Sequence, residues 1–327
     1  MNRESFYLLL AVLFLAAYFP AEAQQPAKIP RVGYLSRTGD SKNPGPLVEG
    51  FRQGLRELGY IEEKNILLEY RYVAREDGIP SLAAELVQLK VDVLVLGPLP
   101  AIRAAKQATR TIPIVMVTTQ DPVAAGFIDS LARPGGNITG LTTLQRELSG
   151  KRLELLKQAV PGISRVGALV SAYQLSIGDF KPYEAPARAL KLQLQVIEVQ
   201  DPNPDFDAAF QAAAKGRANA LITVRGGVLN PHQKRIADLA IKNRLPSMHE
   251  VRDYVETGGL MSYSSNDAES SKRAAYYVDR ILKGAKPADL PVEQPTKFEL
   301  AINLKTAKQI GVTIPPNVLA RADRVIK

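Results

Sequence analysis

The residues of this chain that could do chemistry stand just past the ends of apolar runs. Ile112–Val117 is short, β-branched and almost wholly apolar, the pattern of a parallel strand buried on both faces. Thr118, Thr119, Gln120, Asp121 and Pro122 follow it. Open α/β sheets place ligands beyond the carboxyl ends of their strands, so the hydroxyls of Thr118 and Thr119 are expected to meet a ligand. Asp121 is read first as the cap of a short helix starting near Val123, and second as a ligand contact. Val91–Leu96 runs into Gly97, Pro98, Leu99 and Pro100, ahead of a helix over Ala101–Thr109 whose first amides offer a site to an anion or a dipole. Arg31–Leu35 runs into Ser36 and Arg37, and Ala220–Val224 into Arg225, Gly226 and Gly227. The Arg225 guanidinium has two readings: it takes a ligand carboxylate with paired hydrogen bonds, or it stays solvated at the cleft rim. Tyr173, after the strand Arg165–Val170, is placed to cover an apolar ligand.

Catalytic patterns are missing from the sequence. There is no cysteine, which excludes thiol nucleophiles and thiolate metal sites, and there are two histidines, His232 and His249. His232 is read as a surface residue at a helix start; His249 follows a strand and approaches the cleft in the alternative reading. The sequence contains no G-x-S-x-G, P-loop or G-x-G-x-x-G pattern, so hydrolase, nucleotidase and dinucleotide chemistry lack their turns. No cofactor and no metal are expected. Gly135, Gly136 and Asn137 read as a tight turn, not as a site.

These loops need elements to hold them. Strands and helices alternate from Arg31: a helix with Leu47, Phe51, Leu55 and Leu58 on one face, a strand over Ile66–Tyr72, and a helix over Ile79–Leu89 lead to the runs named above. After Leu141 the alternation starts afresh, with a helix over Leu148–Val160 and strands over Arg165–Val170, Leu192–Val199, Ala220–Val224 and Leu245–Met248. A helix over Asp267–Lys283, a strand over Phe298–Asn303 and a final helix over Pro315–Ile326 complete the chain. The fold class expected is α/β, with two doubly wound parallel-sheet lobes joined by a multi-strand hinge. Lobe 1 takes residues 28–142 and about 262–292; lobe 2 takes 143–261 and about 293–327. Crossings are expected near residues 141–143, 259–262 and 291–295.

The 327 residues exceed what one core usually holds, roughly 250 to 300. Phe6–Phe19 is an apolar run with tyrosines, preceded by Arg3 and followed by Pro20 and Ala21-Glu22-Ala23, so residues 1–23 read as a secretory signal peptide cleaved after Ala23. Without a cysteine at the cleavage site the mature protein carries no lipid, and a periplasmic location behind an outer membrane follows. Cleavage removes Arg3, Glu4 and Glu22 and raises the formal charge of +9 by one. The basic residues are scattered and secretion opposes a nucleic-acid partner, so none is expected.

DPVAAGFIDSLARPGGNITGLTT, residues 121–143, resembles the signature of the ABC-transporter substrate-binding family that includes the tryptophan-binding receptors. RVGYLSR at 31–37, GFRQGLRELGY at 50–60 and DLPVEQPTKFELAINLKTAKQIG at 289–311 extend the resemblance over nearly the whole mature chain. It implies a periplasmic binding protein with a type 1-like fold. A small organic solute, an amino acid or another carboxylate-bearing compound, would lie in the cleft, and an inner-membrane permease with its ATPase would be the partner. Where Ser171, Ala172 and Tyr173 stand, the tryptophan receptors usually show an asparagine-containing stretch, so an aromatic amino-acid ligand is not inherited. A sensory module serving a membrane kinase, or an enzyme on the same fold, are the rival readings. The placement of Gly97–Pro100 and of Arg225–Gly227 in opposite halves leads to the expectation of an anionic group held from both lobes.

Overall fold

The computed structural model describes residues 28–36, 39–73, 76–143, 145–200 and 203–327. Residues 1–23, expected to be a signal peptide, and Arg37 lie outside the described residues. In the first lobe the strands β1 (Arg31–Ser36), β2 (Leu67–Tyr72), β3 (Val93–Leu96), β4 (Ile114–Thr118) and β5 (Ile138–Thr142) form a parallel sheet in the order β2-β1-β3-β4-β5. The order reverses at β1, with β2 on one side and β3 on the other, so a crevice opens above their carboxyl ends. Side-chain alternation covers both faces. Val93, Val95 and Val115 pack with Phe51 and Leu55 of the helix Gly45–Glu57, while Leu94, Leu96, Ile114 and Met116 pack with the helices Ile79–Gln88 and Leu99–Ala108.

The second lobe holds β6 (Arg165–Ser171), β7 (Gln193–Val199), β8 (Ala220–Thr223), β9 (Ser247–His249), β10 (Met261–Ser264), β11 (Glu299–Asn303) and β12 (Arg324–Ile326), in the order β12-β11-β10-β9-β8-β6-β7. All neighbours are parallel except β10 and β11. That exception has a topological cause. The chain leaves β10 at its carboxyl end to build the helix Asp267–Leu282 on the first lobe, and it returns on the same side, so β11 must run the opposite way.

The returning helix lies against the helix Gly45–Glu57. A β-carbon at Gly50 would come 2.6 Å from the Ala268 carbonyl oxygen, and one at Gly54 would come 2.5 Å from that of Lys272. Two glycines four residues apart therefore let the two backbones touch. Ala274, Ala275, Val278 and Ile281 join Phe51 and Leu55 in one core.

Three expectations are corrected. No helix starts near Val123: residues 121–127 form turns, because Gly126 takes a left-handed φ of 71° after a single turn. Residues 261–262, within the crossing placed near 259–262, belong to the second sheet, where Met261 pairs with Met248 and Ile302. The terminal helix is confined to Pro316–Leu319; Asp323 then exchanges hydrogen bonds with Leu300, its N–H donating to the Leu300 carbonyl and its Oδ2 accepting the Leu300 N–H, and this draws β-branched Val325 and Ile326 into the edge strand β12. Gly135 does take the left-handed φ expected of its turn, at 81°.

Candidate functional site

A cavity of about 830 Å³ lies between the lobes, above the carboxyl ends of β1, β3 and β4 on one side and β6 and β8 on the other. Ser36, Gly97, Pro98, Leu99, Thr118, Thr119, Asp121, Tyr173, Arg225 and Gly226 all line it. The rule of strand ends thus brings together ten of the eleven residues expected there.

Local structure explains their positions. Pro98 is the N-cap of the helix Leu99–Ala108 with extended backbone and no side-chain cap, and Pro100 sits in its first turn. Thr118 is buried and its Oγ1 accepts the Gln120 N–H at 3.3 Å, which bends the chain as it leaves β4. Asp121 Oδ1 accepts the N–H groups of Val123 and Ala124 at 2.8 and 3.2 Å, so its carboxylate caps a turn while it faces the cavity. Lys106 Nζ holds the same turn from below, donating to the carbonyl of Gly126 at 2.6 Å.

In the second lobe, Ser171 and Gln174 form a reciprocal capping box at the start of the helix Ala172–Ser176. The buried Gln174 Nε2 also donates to the carbonyls of Val224 and Arg225, tying the end of β6 to the end of β8. A β-carbon at Gly226 would lie 2.3 Å from that Nε2, so this glycine makes room for the clamp. Tyr173 lines the cavity beside Gln174.

The electrostatics differ from a simple anion site. Arg225 Nη1 donates to Asp267 Oδ2 at 2.6 Å, across the cleft, and the Arg225 N–H donates to Glu250 Oε2 at 2.8 Å. Arg146 forms an ion pair with Asp179, and Gln120 Nε2 reaches the same carboxylate from the first lobe at 3.2 Å. Burial holds the Arg146 guanidinium below its ordinary value. The charged lining is Arg103, Arg146 and Arg225 against Asp121, Glu147, Asp179 and Asp267. Two of the three guanidiniums are therefore already matched, despite the chain's positive balance. Tyr34 also lines the cavity, and burial pushes its phenol up to about 12, against the opposing hydrogen bond with Ser271.

Neither histidine belongs to this constellation. His249 is fully buried, stacked on Tyr254 with ring centroids 4.3 Å apart and planes 6° from parallel. Its Nδ1 lies 3.0 Å from Thr223 Oγ1 and its Nε2 2.9 Å from Ser247 Oγ. Burial pushes its pKa down to about 3, so it is a neutral core residue. His232 sits beside Phe206, with centroids 5.2 Å apart.

Sequence reasoning missed Asp267, Asp179, Arg146 and the Gln174 clamp. The signal for Gln174 was present as the spacing Ser171-x-x-Gln174, a helix-start box. Asp267 would have followed from the strand-end rule had Met261–Ser264 been read as a strand.

Comparison with known proteins fits this architecture. The family model of ABC transporter substrate binding proteins matches residues 42–326. A tyrosine-binding protein of Clostridioides difficile (strain R20291) is 25% identical over 270 residues, covering 81% of this chain and 76% of that protein. Among solved structures, a conserved domain protein from Vibrio cholerae superposes with a TM-score of 0.79 at 27% identity, covering 91% of this chain and 100% of the other. A domain from Streptococcus pneumonia in complex with L-Trp superposes with a TM-score of 0.76 at 24% identity, covering 91% and 99%. A parallel-sheet lobe and a mostly parallel one, the cavity between them and a family match over most of the sequence lead to one conclusion: the chain belongs to the family of ABC transporter substrate-binding proteins.

Proposed function

We propose that this protein is the periplasmic solute receptor of an ABC importer, that it closes its lobes over a zwitterionic amino acid, and that it hands the closed form to an inner-membrane permease and its ATPase. The observation that carries the ligand class is the charge layout of the cavity. Three guanidiniums and four carboxylates face it, drawn from both lobes, and Arg225 and Asp267 form a cross-cleft pair that a ligand's carboxylate and ammonium can each engage. A lone carboxylate would have to compete with Asp267 for Arg225 and would face the remaining acids unpaired. The tyrosine and L-Trp recorded for two relatives are of the same class. The cavity's tyrosines, Tyr34 and Tyr173, together with Leu47, Leu99 and Ile177, supply an apolar wall for a side chain.

Lobe 1 is taken as residues 28–142 with the return segment about 262–292, and lobe 2 as the remainder; since β10 pairs within the second sheet, we take the return segment to start after Ser264. Binding between lobes lets a ligand bias a hinge equilibrium that a permease can read without touching the ligand. The resemblance of residues 1–23 to a cleaved signal supports export, and the missing cysteine supports an unlipidated product. The solute is taken to leave unaltered, as befits a chain that matches the substrate-binding family.

The test is a thermal-shift screen of the mature protein against the protein amino acids, their des-amino and decarboxylated analogues, and simple sugars, followed by calorimetry. The expected result is an amino acid as best ligand, with either analogue at least tenfold weaker, or about 1.4 kcal/mol. A best ligand that is a sugar or a bare carboxylate refutes the zwitterion reading. Recovery of an altered ligand refutes binding without turnover.

A further inference from the structure

Two of the three crossings between the lobes are tied to one side chain. Arg152, on the helix Ser149–Ala159 of the second lobe, is completely buried. Its Nε donates to the carbonyl of Tyr263 at 2.9 Å, in the strand that leads into the crossing at 265–266. Its Nη1 donates to the Gln145 carbonyl at 2.7 Å and its Nη2 to Gln145 Oε1. Gln145 stands where the first crossing ends. Its N–H still donates to the Thr119 carbonyl of the first lobe at 3.1 Å, and its Nε2 donates to Ser265 Oγ, on the second crossing, at 2.8 Å.

The charge of Arg152 is met by Glu250, with Nη1 3.1 Å from Oε1, and Tyr183 donates to the same oxygen. The other oxygen of Glu250 accepts the backbone N–H of Arg225 in the cavity wall. Apolar side chains of similar volume often stabilise a core as well as a buried ion pair or better. They could not fix acceptor oxygens that belong to two crossings, nor present a carboxylate to the Arg225 loop.

We propose that Arg152 and Glu250 are the pin of the hinge: they hold the first and second crossings at a set separation and transmit displacement of the Arg225 loop to them. Neither residue lines the cavity, so both are positioning residues acting through Gln145 and Arg225. The proposal rests on the lobe closure put forward above.

The sequence has no cysteine, so Ala132→Cys in the first lobe and Ala185→Cys in the second, both at exposed positions, label without background. Pulsed electron resonance on the ligand-free mature protein then reads the distance between lobes. Without ligand in the sample, failure of the solute screen leaves this measurement intact. Glu250→Gln and Arg152→Lys are expected to widen the distance distribution relative to the parent while the near-ultraviolet circular dichroism stays native. A role confined to packing would lower the melting temperature and leave the distribution unchanged, and that result overturns the proposal. Should either variant fail to fold, Ser265→Ala removes only the Gln145–Ser265 hydrogen bond. It must still widen the distribution, and an unchanged one there overturns the proposal equally.

Discussion

His249→Asn should flatten the acid limb of the protein's stability curve. In the native state the ring lies between Thr223 and Ser247 under Tyr254, and burial holds its pKa at about 3 against 6.5 for the exposed group. Above about pH 6.5 both folded and unfolded chains carry a neutral imidazole, and the residue adds no pH dependence. Below it the unfolded chain takes up a proton that the native ring refuses, so stability is lost as pH falls from 6.5 towards 3. At about pH 5 roughly 1.5 units of that window have been crossed, and at 1.36 kcal/mol per unit the loss is about 2 kcal/mol. For a domain of this size that corresponds to a melting-temperature drop of roughly 4–8 °C. Asparagine cannot titrate, so the variant, though less stable at pH 7.5 through lost stacking, should lose less on acidification. The assay is calorimetric melting of parent and variant from pH 7.5 to 5. The stability gap between them should narrow by about 2 kcal/mol. A gap constant over that range would show that the ring is protonated in the fold or already neutral in the unfolded chain.

Two further outcomes test the packing and the cavity. Gly54→Ala places a methyl 2.5 Å from the Lys272 carbonyl oxygen and 2.8 Å from the Ala275 β-carbon, so the two helices must separate, at a cost of about 1–3 kcal/mol in denaturant melts; unchanged stability would mean that the helices do not touch there. Asp267→Asn leaves Arg225 without its carboxylate and should strengthen binding of a des-amino acid about tenfold while weakening that of the parent amino acid, read by calorimetry; parallel changes in both would refute the competition between Asp267 and the ligand.

Much of the site was legible because it depends on local pattern. A continuous apolar run such as Val93–Leu96 or residues 220–222 marks a central parallel strand, and the residues beyond the strand's end face the crevice. What could not be read is set by partners distant in sequence. Met261–Ser264, with its two serines, has no continuous apolar run and only Tyr263 as a strong strand former, and it is held as a strand by Met248 and Ile302 on either side. The pairing of Arg225 with Asp267 joins residues 42 apart on opposite lobes, so the sequence left the guanidinium poised between ligand and solvent. The turns after Asp121 turn on Gly126, whose left-handed φ stops a helix that the alanines before it would allow. Arg152 carried no signal at all: in a row of helical lysines and glutamates, nothing distinguished the arginine that is wholly buried.

The antiparallel pair of β10 and β11 has a consequence for how the protein is made. Because the chain leaves the second sheet to lay the helix Asp267–Leu282 on the first lobe and then comes back, neither lobe is a continuous stretch. During synthesis the strands of the first lobe emerge early, but the sheet face on which Phe51 packs is only partly covered until Ala274, Ala275, Val278 and Ile281 have followed. The second sheet in turn waits for β12, which follows the return of the chain through β11. Lobes that would ordinarily mature one after the other depend on each other's late segments, so a partly made chain carries half-covered sheets prone to aggregation.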